Sequence, residues 1–334
     1  VQSFACATIS TLVDGALGLS GGQLEKLGGG TLTLSGLNTF TGPTTVSQGV
    51  LKAGAANTFS SASAHAVAPG ATLDLNGHDQ TLAELSNSGM VSLLGSAPGT
   101  TLTVKGPYIG SNGPLRLGTQ LGDSSSVSDR LVLDGPSAVA SGKTTVSITN
   151  LGGLGAQTIG NGIEVIAARN GGTTTAQSTK DAFSLAGGHV DAGAFEYRLY
   201  AADAAGAGES WYLRSEAPAV PPVDPGNPGD PGNPGDPGNP GGPGNPGGGP
   251  TDPPVLVPTY RAEVPLFAAL PEQLRQGNYA MLGNMHQRMG DGDGSTSAAV
   301  SGAARRAWGR VLSTHLSIRQ GGVVNPSSNG RLTG

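Results

Sequence analysis

Gly18-Leu19-Ser20-Gly21-Gly22 has the G-x-S-x-G spacing of a nucleophile elbow, in which a serine on a sharp strand-to-helix turn attacks a carbonyl. The elbow needs a buried strand before the serine, a helix after it, and acid and histidine partners later in the chain. Residues 1–26 show no clear periodicity, so Ser20 is expected to be an ordinary loop serine. Asp74, Asp79 and Glu84 are the only acids between residues 27 and 120. Glycoside chemistry needs two carboxylates, or a carboxylate and a base, converging on one face. The Asn76-Gly77 turn separates Asp74 from Asp79, so they are not expected to converge. His65 and His78 are expected to be surface turn residues.

Asp291-Gly292-Asp293-Gly294-Ser295 begins like a calcium loop, but Thr296 stands where the loop needs glycine and Gly302 where it needs glutamate. Neither metal-ligand spacing nor a phosphate-binding glycine loop occurs, so neither metal nor cofactor is expected. Cys6 is the one cysteine and cannot form an internal disulfide. It is expected to be a small buried apolar side chain near the start. No residue of the chain emerges as catalytic, cofactor-binding or metal-binding.

The elements that would have to position such residues are short strands. In the stretch Leu27–Gly54, LGGGTLTLSGLNTFTGPTTVSQGVLKAG, apolar residues alternate over Thr31–Leu34, Thr44–Val46 and Val50–Leu51. Glycine, asparagine, proline and serine turns separate them. Strands this short cannot build a deep sandwich; they suit a solenoid, in which each turn of chain buries its apolar face on the previous one. Thr72–Leu75, Thr81–Leu85, Val91–Leu94, Thr101–Val104 and Leu115–Leu117 continue the rhythm.

Leu27–Gly54 resembles the passenger-associated transport repeat of bacterial type V autotransporters, through Gly28-Gly29-Gly30-Thr31-Leu32-Thr33-Leu34-Ser35-Gly36, Asn38-Thr39-Phe40-Thr41-Gly42 and Thr44-Thr45-Val46. Gly70-Ala71-Thr72-Leu73-Asp74-Leu75-Asn76-Gly77 and Gln80-Thr81-Leu82 also resemble such passengers. The resemblance implies a right-handed parallel β-helix over residues 27–127, after an irregular start at 1–26. Asp129–Leu133, Gly142–Asn150, Tyr197–Tyr200 and Trp211–Leu213 resemble the pertactin-like autochaperone region, placed at 128–217. In that family the segment ends the β-helix and nucleates its folding. A solenoid needs such a cap over its last apolar rung and open strand edge. Trp211, Tyr212 and Tyr197 are large enough to cover it; a sugar-binding aromatic platform is the sharper alternative.

Residues 218–258 are expected to form an extended spacer. Glycine falls at every third position from Gly226 to Gly247 with proline beside it, a collagen-like period that here suits polyproline II or coil. Residues 259–334 resemble the start of an autotransporter β-domain. Tyr260–Gly290 carries a helix, with Pro271 expected in its first turn, Leu270 outside it and Glu272 on the N-terminal dipole. Leu274, Met281, Leu282, Met285 and Met289 fall at helical spacing. The other surface, with Gln273, Gln276, Asn284, His286 and Arg288, suits a water-filled pore.

Arg306-Ala307-Trp308-Gly309-Arg310 resembles the opening of the first barrel strand, with Trp308 for the aromatic girdle and Arg310 for the lumen. Up to Gly334 there is room for about two membrane strands, whereas membrane barrels have at least about eight. A mainly β fold is thus expected: capped β-helix, Pro/Gly linker, one helix and a truncated barrel.

Composition agrees. There are 57 glycines in 334 residues, charged residues are 12% and aromatics 4%, a poor profile for a compact enzyme. A net charge of −5 gives no reason to expect nucleic acid as a partner. Val1–Ser20 lacks the n-region and apolar core of a signal peptide, so an export signal is expected upstream. The resemblance implies passage through the periplasm to a Gram-negative outer membrane and cell surface. The barrel-assembly machinery would act on the full-length barrel, and the passenger would be a monomer.

A non-catalytic role in translocation, folding and display of an adhesin-like or virulence-factor passenger is therefore expected. The alternatives are a β-helical carbohydrate-active enzyme, or a carrier for a protease or esterase encoded upstream. No Arg-Gly-Asp motif marks a host ligand.

Overall fold

The computed structural model describes residues 7–9, 21–218, 256–288, 313–319, 324 and 327–333. Cys6, Ser20, Asp291–Ser295, Trp308 and Arg310, and the side chains of Met281, Met285 and Met289, lie outside the described residues, as does most of the linker. Two compact units divide the chain after Thr259.

In the first unit the short strands wind as a parallel β-helix with three faces. One face stacks Ala7–Ile9, Thr31–Leu34, Val50–Ala53, Thr72–Asp74, Met90–Ser92 and the second half of Tyr108–Thr119. A second stacks Leu24–Lys26, Thr44–Val46, Ala64–Val67, Glu84–Asn87 and the first half of Tyr108–Thr119. The third stacks Gln80–Leu82, Thr101–Val104, Arg130–Asp134 and Ile163–Arg169. All of these pairs are parallel and, rung on rung, in register.

Period-two alternation is what fills the interior of the coil with side chains. Leu32 and Leu34 are buried while Thr31 and Thr33 stay half-buried. The register then places like on like: Leu32, Leu51, Leu73, Val91 and Leu115 form one inward ladder, continued by Val146. Each buried aliphatic side chain contributes about 1.5–3 kcal/mol. The strands expected at Thr31–Leu34, Thr44–Val46 and Thr101–Val104 form with those bounds. The run Thr81–Leu85 instead breaks into Gln80–Leu82 and Glu84–Asn87, which lie on different faces.

Corners decide where glycine is needed. Gly49 has φ +68°, and a Cβ there would lie 2.4 Å from the Gly30 carbonyl oxygen of the rung below. Buried polar side chains stitch other corners. Lys26 Nζ donates to the carbonyls of Leu27, Gly28 and Gln48 at 2.9, 2.6 and 3.0 Å, and burial lowers its pKa. Gln80 accepts from the Phe59 amide at 2.9 Å and donates to the Ala55 carbonyl at 2.8 Å.

His65 departs from expectation. It is not in a surface turn but on the inward ladder of the second face, between Thr44 and Leu85. It is 2% exposed, lies 5.9 Å from the Phe59 ring, and its Nδ1–H donates to the Ser63 carbonyl at 2.9 Å. Alternation from Val67 puts residue 65 on the same side as Val67, and that side is the core. Burial depresses its pKa from 6.5 to about 4, only partly opposed by the Ser63 hydrogen bond. The unfolded chain therefore binds a proton below pH ~6.5 that the fold refuses until about pH 4. This stability is complete above pH ~6.5 and is lost progressively as pH falls through that window, about 3 kcal/mol in all. Denaturant melts from pH 7 to 4 should show that loss, and His65→Leu should flatten the profile. An equally steep profile in the variant would assign the loss elsewhere.

The described residues on either side of the Pro/Gly segment pair with one another: Leu256–Pro258 pairs antiparallel with Glu216–Pro218, and the Thr259 amide donates to the Ser215 carbonyl at 2.7 Å. The segment between them lies outside the described residues.

In the second unit a helix spans Val264–Arg288. Pro265, not Pro271, occupies its first turn. Leu270, Pro271 and Glu272 are all interior, so Pro271 removes one N–H from the ladder and sets its ring against the Phe267 carbonyl. Glu272 pairs with Arg275 at 2.7 Å instead of capping the N-terminus. Ser313–Arg319 and Ser327–Thr333 form an antiparallel hairpin. No described helix is long and apolar enough to cross a membrane, which says nothing about a β-barrel.

Candidate functional site at the closed end of the coil

The third face ends differently from the way it runs. After Ile163–Arg169 the next strand, Trp211–Arg214, is antiparallel, with a register shift between Glu164 and Ile166. Phe195–Ala201 pairs antiparallel with it, and Val190–Ala192 with Phe195–Ala201. An antiparallel strand cannot continue the winding, so this three-strand sheet closes the stack.

The closure is filled by aromatics drawn from distant turns. Phe183 lies 5.7 Å from the Tyr108 ring and 5.5 Å, edge-on, from Trp211. Such contacts add about 0.5–1.5 kcal/mol beyond area burial. Trp211 Nε1–H donates to Thr174 Oγ1 at 2.8 Å, and the Thr174 amide donates to the Glu209 carboxylate at 2.7 Å. Tyr108 meets Thr144 Oγ1 at 2.9 Å, and burial pushes its pKa up to about 12.

Tyr197 is fully buried and bridges two loops. Its hydroxyl accepts from the Ala156 amide at 2.8 Å and faces the carbonyls of Gly122 and Ala156 at 2.8 and 2.7 Å. Burial raises its pKa. Thr158 and Ser215 satisfy each other reciprocally: the Thr158 amide donates to Ser215 Oγ at 2.8 Å, and the Ser215 amide to Thr158 Oγ1 at 2.9 Å.

Asp129 locks the corner beneath the cap. It is fully buried; Oδ1 accepts from the Gly99 and Thr100 amides, both at 2.9 Å, and Oδ2 from the Gly118 amide at 2.6 Å. Burial pushes its carboxyl above the ordinary value, while these backbone donors pull it back down.

Of the three cap aromatics expected from the sequence, Trp211 and Tyr197 are buried. Tyr212 is the exception. One residue from Trp211, it points to the opposite face, where Arg214 stacks on Tyr212 and Tyr200 at 5.6 and 5.3 Å. Phe183 was not singled out as a cap residue by the sequence, because it lies in no aromatic-rich run, and Asp129 entered only as the first residue of the autochaperone-like Asp129–Leu133, with no role given to its carboxylate.

The residues with chemical potential elsewhere do not assemble. Asp74 pairs with Lys52 at 3.8 Å and accepts from the Asn76 amide; Asp79 accepts from the Thr101 amide at 2.6 Å. Glu84 is exposed on the second face, and His78 stands in the turn after Asn76. What the aromatic arrangement at the coil's end can do is shield an apolar rung and fix its edge.

A parallel β-helix closed by an antiparallel aromatic cap is the class of protein defined here. Comparison with known families finds two passenger models in the chain. The model for Autochaperone Domain Type 1 matches residues 81–199, and that for the Passenger-associated-transport-repeat matches residues 24–53. The chain carries passenger sequence of the type V autotransporters. It is 34% identical over 294 residues to Adhesin BmaC autotransporter of Brucella suis biovar 1 (strain 1330), which covers 84% of this chain and 7% of that protein. It is 39% identical over 142 residues to Probable autotransporter YfaL of Escherichia coli (strain K12), 42% of this chain and 10% of that one. Uncharacterized protein YdeU of the same strain is 32% identical over 243 residues, 70% of this chain and 44% of its own. The chain thus spans less than half the length of each of these relatives.

Proposed function

We propose that this chain is a non-catalytic part of an autotransporter that drives outer-membrane translocation, folding and surface display of its passenger. The cap proper, 128–217, is the working element. The observation that carries this reading is the antiparallel closure at Trp211–Arg214, which buries Trp211 and Tyr197 against the last parallel turns. A folded cap emerging first at the outer surface cannot slip back through a pore, so its folding biases the thread outward. The closed end is also a finished template on which earlier rungs can stack, each paying its ordering entropy against a preformed edge.

On this reading Tyr260–Gly334 opens the translocator. The helix supports it through an exposed apolar row, Leu266, Leu270 and Leu274, with Phe267 at 70% exposure beside it. A barrel wall assembled by the outer-membrane machinery is the kind of surface that would cover such a row. The relative named an adhesin motivates adhesion as the passenger's activity, carried by outward side chains of the parallel turns such as Thr33, Lys52 and Asp74 rather than by catalysis.

The test is deletion of Ser128–Glu216 within the whole autotransporter. Loss of the cap should leave the passenger unfolded or periplasmic, measured by its sensitivity to protease added outside intact cells. A folded passenger displayed at normal levels would overturn the proposal.

A further inference from the structure

His189, Asp191 and Glu196 meet on one face of the cap's outermost hairpin. Asp191 and Glu196 are direct cross-strand partners between Val190–Ala192 and Phe195–Ala201. Such partners have Cβ atoms about 4.5–5.5 Å apart. His189 lies two residues before Asp191, and its Nδ1 is 3.0 Å from Asp191 Oδ1. One ligand atom from each of the three lies within 4.8 Å of the others. Ligands about 2.0–2.2 Å from a tetrahedral zinc ion lie little more than 3 Å apart, so small side-chain adjustments bring all three onto one ion.

We propose that these three side chains form a divalent transition-metal site of the zinc class. One imidazole and two carboxylates are a nitrogen–oxygen donor set that suits zinc, copper or nickel rather than calcium. Three protein donors leave a position for water. The positions are pre-arranged by backbone, not only by side-chain packing. The Glu196 amide donates to the Thr259 carbonyl at 3.0 Å and its carbonyl accepts from Thr259 Oγ1 at 2.6 Å, so the chain returning from the linker holds Glu196 in place. Arg198 Nε sits 2.6 Å from Glu196 Oε1 and competes for that oxygen, leaving Oε2 for the metal. Exposure of His189 keeps the site reachable from solvent.

The consequence is mechanical. Val190–Ala192 is the outermost strand of the sheet that closes the coil, and a metal bridging it to Phe195–Ala201 pins the hairpin shut. Metal bound by the folded hairpin alone stabilises it by mass action.

Zinc chloride titrated calorimetrically into the full chain, in a Cys6→Ser background so that the thiol does not compete, tests this. One saturable site per chain is expected, with the thermal midpoint raised by about 5 °C at a hundredfold excess over Kd. His189→Ala and Glu196→Gln should each weaken binding by about a hundredfold or abolish it, while His78→Ala leaves it unchanged. Circular dichroism of the metal-free variants checks that the cap is intact. Absence of saturable binding, or a site that survives in both His189→Ala and Glu196→Gln, overturns the proposal.

Discussion

Replacing Trp211 with alanine is expected to cost about 3–5 kcal/mol and to open the end of the coil. Trp211 is 3% exposed, stacks edge-on with Phe183 and spends its indole N–H on Thr174. Truncation leaves a cavity between the closing strand and the last parallel turn and removes one of two donors to Thr174 Oγ1, the Ala176 amide at 3.0 Å remaining. Trp211→Phe should keep much of the contact with Phe183 and lose mainly the hydrogen bond, about 1 kcal/mol.

Solenoids behave as chains of neighbouring units, so the damage should stay near the cap before it spreads. Hydrogen exchange is the decisive measurement. Amides of Ile163–Arg169, paired directly with the closing strand, should lose protection first, and those of Thr31–Leu34 last. A Trp211→Ala chain within 1 kcal/mol of the parent, or one that loses protection uniformly, would remove Trp211 from the role of cap anchor.

Asp129→Ala should be comparably severe for a different reason. The side chain is the acceptor for three amides, those of Gly99, Thr100 and Gly118, which come from two successive turns. Removing it leaves the buried Thr100 and Gly118 N–H groups without an acceptor, at about 1–3 kcal/mol each, so a loss of roughly 4 kcal/mol is expected, while the exposed Gly99 amide can turn to water. Asp129→Asn separates shape from hydrogen bonding. Its Oδ1 can still serve Gly99 and Thr100, but its amide nitrogen would face the Gly118 N–H, donor against donor. It should therefore fall between the parent and Asp129→Ala in chemical denaturation. If asparagine and alanine are equally mild, the corner is held by the backbone pairing of Asp129 with Gly118 rather than by the carboxylate.

The sequence by itself determined the strands, the repeat and the presence of a cap. Alternation is a local property: Thr31-Leu32-Thr33-Leu34 has one apolar side whatever lies above it, and Trp211 and Tyr197 are too large and apolar to be left in water. His65 was misplaced in a surface turn, although the alternation that puts it on the side of the apolar Val67, across Ala66, points to the core. The tertiary structure alone decided what depends on register. Which turn rests on which is a non-local choice, so it took the stack to gather the amide donors around Asp129 and to bring Phe183 between Tyr108 and Trp211. It also returned Leu256–Pro258 to Glu216–Pro218 across a segment whose composition suggests only extension. The convergence of His189, Asp191 and Glu196 has the same cause. H-x-D-x4-E is no metal spacing along a chain, and it becomes one only when an antiparallel turn sets Glu196 opposite Asp191.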